Sequence, residues 1–211
     1  MKNLKKIILA IAAVTLMAYN SSAQDNGTDH RGSLQLGLKI GANLSNVYDS
    51  QGEQFNADGK FGLAAGAFLE IPIGKYLGIQ PELLFSQKGF QATGSLLGTD
   101  YKFTRTTNFI DIPLFIQLKP SNMVTLLAGP QFSYLMKQRD EFPNATIEEE
   151  FKNDNIRKNI MCFVIGVDIN PNRFVFGARA GWDVQENNGD GTSTTPRYKN
   201  VWYQATVGFR F

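Results

Sequence analysis

The chain has 211 residues, with 21 Lys and Arg against 19 Asp and Glu, one His and one Cys. Lys2, Lys5 and Lys6 account for all the charge in its first 23 positions, which leaves 18 basic and 19 acidic residues, a net −1, in the rest. That balance excludes a nucleic-acid binder, and one cysteine excludes a framework of intrachain disulfides.

Positions 1–6 are positive, and 7–18 form an apolar run shorter than the roughly 20 residues a spanning helix needs. Ser21, Ser22 and Ala23 then offer small residues for cleavage. This is the pattern of a secretory signal peptide over residues 1–23, removed after Ala23. Position 24 is Gln, so lipid attachment is not indicated. The 188 residues that remain of the 211 predict one domain, a short lead over 24–34 followed by a folded unit over 35–211.

From position 35 onward the apolar pattern repeats every second residue, the period of a strand with one greasy side. Residues 35–48 place Leu36, Leu38, Ile40, Ala42 and Leu44 opposite Gly37, Lys39, Gly41, Asn43 and Ser45. After a polar loop at about 49–59, residues 60–73 set Phe61, Leu63, Ala65, Ala67, Leu69, Ile71 and Ile73 against Gly62, Ala64, Gly66, Phe68 and Glu70. Beyond Gly74 and Lys75, residues 76–90 alternate Leu77, Ile79, Pro81, Leu83 and Phe85 with Gln80, Glu82, Leu84, Ser86 and Lys88. A second long loop is expected over about 91–105. Four further strands follow at 106–119, 123–137, 159–169 and 173–184, with tight turns at Pro120 and Pro171 and a long charged break over about 138–158. A last loop, 185–199, leads to the closing strand. There Val201, Tyr203, Ala205, Val207, Phe209 and Phe211 share one face, and Trp202, Gln204, Thr206, Gly208 and Arg210 the other.

Eight strands joined alternately by long and short connections predict an all-β fold, an eight-stranded antiparallel up-and-down transmembrane β-barrel. Short turns on such barrels are periplasmic and long loops extracellular, which places the 24–34 lead in the periplasm. Pro81, Pro113 and Pro130 interrupt proposed strands, so bulges or local breaks are expected there. A soluble lipocalin-like carrier of an apolar ligand has a similar strand count. In that alternative the apolar face would line the interior.

The polar face argues for lipid outside, because its charges alternate with glycines and with Phe68, Phe115 and Trp202, a mixture suited to filling a narrow lumen. Lys39, Glu70, Glu82, Asp111 and Arg179 fall at comparable heights from the short-turn end and are expected to pair inside the barrel. The apolar face gathers aromatics at two levels. Tyr48, Phe61, Phe132, Tyr134, Trp182 and Tyr203 lie toward the long loops, and Phe174, Phe176, Phe209 and Phe211 toward the short turns, as two girdles bounding a lipid band. The partners implied are outer-membrane lipid and lipopolysaccharide, the barrel insertion machinery, and a protein partner at the extracellular loops. Tyr203, Val207, Phe209 and Phe211 of the terminal strand resemble the signal that outer-membrane barrels present to that machinery.

Several stretches resemble the PorT-like outer-membrane β-barrel family of Bacteroidota: residues 36–43 (LGLKIGAN), 79–89 (IQPELLFSQKG), 110–114 (IDIPL), 128–130 (AGP) and 207–211 (VGFRF). The resemblance implies an integral outer-membrane barrel and accounts for the prolines. It also implies, as an alternative role, an accessory of a protein secretion system, although the matching residues are ones that build barrel walls.

No constellation for catalysis emerges, and the chain is read as a non-enzyme without cofactor or metal. His30 precedes the first strand, far from the outer rim where a hydrolytic base would sit. Glu82 and Asp111 could form a carboxylate pair, and Cys162 could be a nucleophile, but a structural ion network and a small interior residue are the simpler readings. Asp183, Asn187, Asn188 and Asp190 lack the spacing of a calcium loop, and a filled eight-strand lumen disfavours an open pore. The acidic run Glu148, Glu149 and Glu150 is the favoured contact loop, against the plainer reading of a solvated charge run.

Overall fold

The structure is a computed structural model and describes residues 31–48, 56–96, 99–142, 145–149, 157–187 and 198–211. Among these residues there are nine strands: β1 (Gln35–Tyr48), β2 (Asn56–Pro72), β3 (Leu77–Leu96), β4 (Thr99–Leu118), β5 (Val124–Phe142), β6 (Ala145–Glu149), β7 (Asn159–Ile169), β8 (Phe174–Asp183) and β9 (Lys199–Arg210). Eight of them pair in a closed antiparallel ring, β1-β2-β3-β4-β5-β7-β8-β9, in which β9 returns to β1 from Gly37↔Arg210 to Tyr48↔Lys199. Closure removes the bare edge that the terminal strand would otherwise present. Among the described residues no helix is long and apolar enough to cross a membrane, which says nothing against crossing by strands.

Strand alternation sorts the two faces as the period of two requires. On the outside, Leu38, Ile40, Leu114, Ile116, Phe132, Phe176 and Tyr203 are exposed, Ile116 by 66% and Tyr203 by 62%. On the inside, Lys39, Glu82, Lys88, Asp111, Asp168 and Arg179 are buried together with Phe68, Phe115 and Trp202. A water-soluble barrel would have this order reversed, so the apolar-ligand carrier is excluded by the faces themselves.

Three connections at one end are short, residues 73–76, 119–123 and 170–173. Gly74 (φ 127°) and Asn172 (φ 56°) take the left-handed backbone in two of them, a conformation that glycine, and next asparagine, adopts most readily. At the other end two expected loops are shorter than the alternation suggested. The stretch 91–105 is a continuing hairpin, with β3 and β4 paired from Leu77↔Leu118 to Leu96↔Thr99. Within 138–158, β5 runs on to Phe142 and β6 folds back along it, from Gln138↔Glu149 to Phe142↔Ala145. The outward residues there, Gln91, Thr93, Lys102, Thr104 and Arg139, are polar while the inward ones, Phe90, Ala92, Phe103 and Arg105, are buried. The outer face thus stops being apolar while the strands continue into water, and the sequence pattern reads that change as the end of the strands.

The prolines do not shift the ladder. Pairing skips residues beside Pro81, Pro113 and Pro130 but resumes in the same register. The two register shifts lie elsewhere, between Gly59 and Ala64 on β2 and at Asn108/Phe109 on β4.

Candidate functional site in the barrel interior

Interior side chains meet in four storeys, counted from the short-turn end. In the lowest, Glu70 of β2 lies between Lys119, in the turn beyond β4, at 3.5 Å and Arg210 of β9 at 3.0 Å.

The second storey is the most densely charged. Lys39 Nζ of β1 donates to Glu82 Oε1 of β3 at 2.6 Å, and Arg179 of β8 approaches the same oxygen at 3.8 Å. Arg179 also grips Asp168 of β7 with two parallel bonds, Nη1 to Oδ1 at 2.7 Å and Nη2 to Oδ2 at 2.9 Å, the fork geometry that suits arginine and carboxylate. A Gln117–Gln80–Glu82 chain of donated amide protons feeds into the layer. Rings close it from the sides, Phe68 at 4.9 Å from the Lys39 ammonium and Phe115 at 5.4 Å from the Arg179 guanidinium.

Above it, Lys88 lies 3.1 Å from Asp111 Oδ2, bonds Ser133 Oγ at 3.3 Å and stands 3.7 Å from the Trp202 ring centroid. The Cys162 thiol donates to Asp183 Oδ1 at 3.1 Å, and the other Asp183 oxygen accepts from Asn200. At the top Arg105 of β4 clamps Asp140 of β5 through Nε at 2.8 Å and Nη2 at 2.7 Å. Phe90, Phe103 and Tyr198 surround its guanidinium, each with its centroid within 5.8 Å.

Of the five residues that spacing singles out, Lys39, Glu82 and Arg179 therefore meet. Glu70 and Asp111 do not join them. Glu70 is met by Lys119 and Arg210, and Asp111 by Lys88, because strand tilt spreads residues of equal sequence distance over different heights. Glu82 and Asp111, in separate storeys and each bound to a cation, do not form an acid–base pair. Arg105 and Asp140 escape the sequence reading because they lie outside the strand limits that the apolar alternation suggests, whereas Lys119 is the last residue of the expected strand 106–119 and stands just past the end of β4 at Leu118. Cys162, Ser133 and Lys88 are buried and bonded to one another, with Lys88 1% exposed. Among the described residues no group of three His, Cys, Asp or Glu is placed to hold a metal.

The terminal-strand residues Tyr203, Val207, Phe209 and Phe211 all face outward, and Phe209 stacks edge-on with Phe174 and Phe211. Glu148 and Glu149 lie on β6 rather than in a loop, while Glu150, His30, Asn188 and Asp190 fall outside the described residues.

Among solved structures, the chain is similar to Ail, the attachment invasion locus protein of Yersinia pestis, with 13% identity over 84% of this chain and 98% of that one and a TM-score of 0.51. It is also similar to Neisserial surface protein A, with 11% identity over 85% and 99% of the two chains and a TM-score of 0.50. At such identities the likeness is one of fold. No curated protein matches the chain. The family model for the outer membrane protein beta-barrel domain matches residues 22–182. The chain therefore belongs to that family, and the outer membrane is where its eight-stranded ring resides.

Proposed function

We propose that the protein is a closed barrel whose task is to hold an interaction surface outside the cell. The observation that carries this reading is the interior, where four storeys of paired charges and rings leave strands no function as the wall of a pore. In planar bilayers the purified protein is expected to give no unitary conductance steps. Reproducible steps of uniform size would remove this reading.

The contact surface on this reading is the β5–β6 hairpin, where residues 137–149 carry Lys137 and Arg139 against Glu141, Glu148 and Glu149, the charge of Asp140 being taken up by Arg105. With Glu150 next in sequence, that excess of acid suits a partner with a basic face. Ail, which shares the fold, has been solved with the heparin analogue sucrose octasulfate, but such a polyanion would be repelled by this hairpin. Exchanging residues 143–150 for a Gly-Ser linker should leave insertion intact while abolishing adhesion of displaying cells to one of a panel of immobilised proteins. Unchanged adhesion to every surface would rule out the hairpin as the contact.

The same proposal includes a signal peptide over residues 1–23, a mature chain beginning at Gln24 (checked by its intact mass), and recognition of Tyr203, Val207, Phe209 and Phe211 by the insertion machinery. A PorT-like secretion accessory is the second reading, resting only on the resemblance of the stretches around Lys39, Glu82 and Asp111, whose residues build the barrel wall.

Residence in lipid makes a quantitative demand on the outer face. Ile40, 58% exposed, sits midway along β1, and Ile40→Arg is expected to cost about 2–4 kcal/mol, the range for a cation at the bilayer midplane of a barrel. Urea unfolding in lipid vesicles measures it. A change within about 0.5 kcal/mol, ordinary for a surface in water, would contradict the lipid contact.

A further inference from the structure

Three arginines are buried among the described residues: Arg105, Arg179 and Arg210. Two are closed by an aspartate fork, Arg105 by Asp140 and Arg179 by Asp168. Arg210 is not. Its Nε lies 3.0 Å from Glu70 Oε1, close enough for an ion pair, yet neither Nε nor Nη2 makes a hydrogen bond. A buried, charged donor without an acceptor is costly, and in a native structure it calls for a partner.

The surroundings indicate what kind of partner. Glu70 is the carboxylate shared by Arg210 and Lys119, so one negative charge answers two positive ones. Burial depresses the Lys119 ammonium below its ordinary pKa; Glu70 opposes that, and the charges of Arg210 and Arg31 add to it. The mouth therefore carries a surplus of positive charge. Two further buried atoms at this end, Asn170 Oδ1 and Gln117 Oε1, also lack partners, so the polar groups here are less fully paired than in the storeys above. The place is at the end of the three short turns, which in this family face the periplasm. Directly above it, Lys39, Glu82, Arg179 and Asp168 close the lumen. A small molecule entering from below would be stopped at that layer.

We propose that the periplasmic mouth of the barrel binds a small oxyanion, of the phosphate or carboxylate class, between Arg210 and Lys119. The planar guanidinium offers two parallel N–H groups to two oxygens of one anion, and the ammonium supplies the second charge. Glu70 then competes with the ligand and limits its affinity. This site is independent of the partner proposed for the outer surface, and either can fail without the other.

The test uses the full mature chain in phosphate-free maltoside micelles at constant ionic strength, titrated with inorganic phosphate, then with acetate, while the amide resonances of Arg210, Lys119 and Glu70 are followed. Saturable shifts confined to this end are expected, at least tenfold weaker affinity in Arg210→Gln, and several-fold tighter affinity in Glu70→Gln. Lys119→Gln, which leaves the Arg210–Glu70 pair in place, is the second variant should Arg210→Gln fail to insert, and it too should weaken binding. In a parallel arm, micelles containing phosphatidylglycerol without free phosphate show whether a lipid headgroup reaches the same amides. Shifts there identify the headgroup as the source, and their absence identifies a free periplasmic anion. Shifts that rise linearly and match those from sodium chloride, or an unchanged affinity in both cation variants, would overturn the proposal and leave water as the partner of Arg210.

Discussion

Glu82→Ala is expected to destabilise the barrel by about 3–5 kcal/mol, the cost of leaving one half of a buried ion pair behind. Glu82 Oε1 accepts from Lys39 at 2.6 Å and lies 3.8 Å from Arg179, and the Lys39 and Glu82 side chains are 2% and 1% exposed. Without the carboxylate, Arg179 keeps Asp168, but the Lys39 ammonium is left facing the Phe68 ring and a desolvated interior. Removing both members should do less harm than removing one. Lys39→Met combined with Glu82→Leu replaces the pair by apolar groups of similar size, a change that is often neutral, and it should recover most of the loss. Urea unfolding in lipid vesicles reads both variants. If Glu82→Ala unfolds at the wild-type midpoint, or if the double variant is worse than the single, the ion pair is not what holds this storey together.

Closure of the ring carries the second large effect. At Gly41 of β1 an added Cβ would stand 1.9 Å from the Ala205 carbonyl oxygen and 2.7 Å from Thr206 Cα, both backbone atoms of β9. No rotation of a side chain relieves that contact, so the strands themselves must separate at the seam where the chain's two ends meet. Gly41→Val is expected to cost about 3 kcal/mol or more, the upper end for overpacking. It should also leave much of the protein unclosed, seen as loss of the fast-migrating band of unheated protein on a gel. Gly32→Ala, with nothing within 4 Å of its added Cβ, is the control and should behave as wild type. A closed, normally migrating Gly41→Val barrel would mean that β1 and β9 approach less closely than described.

Much of this architecture is legible in the order of residues because a strand has a period of two. The faces of β1, β2, β7, β8 and β9 are readable residue by residue, down to the glycines and charges of the inner wall, since a one-residue slip would turn every apolar side chain into the lumen. The upper parts of β3, β4 and β5 are not. There Gln91, Thr93, Thr104 and Arg139 face water, and an alternation of polar with apolar residues loses its apolar outer half where the membrane ends. The hairpin of β3 and β4 beyond Phe90 is therefore recovered only through its paired backbone and the packing of Phe90, Ala92, Phe103 and Tyr198.

What the sequence by itself determined was the number of strands in the ring, which face meets lipid, and that the charges on the other face lie inside. What only the tertiary structure decided was the choice of partners: Glu82 for Lys39 and Arg179, Lys88 for Asp111, and Glu70 shared by Lys119 and Arg210. The physical reason is the tilt of the strands. Alternation along one strand assigns a side chain to the inside of the barrel, but its height among seven other strands depends on the stagger accumulated around the closed ring, a quantity no local pattern contains. The half-served guanidinium of Arg210 belongs to the same class of fact, because it exists only once the last strand has closed against the first.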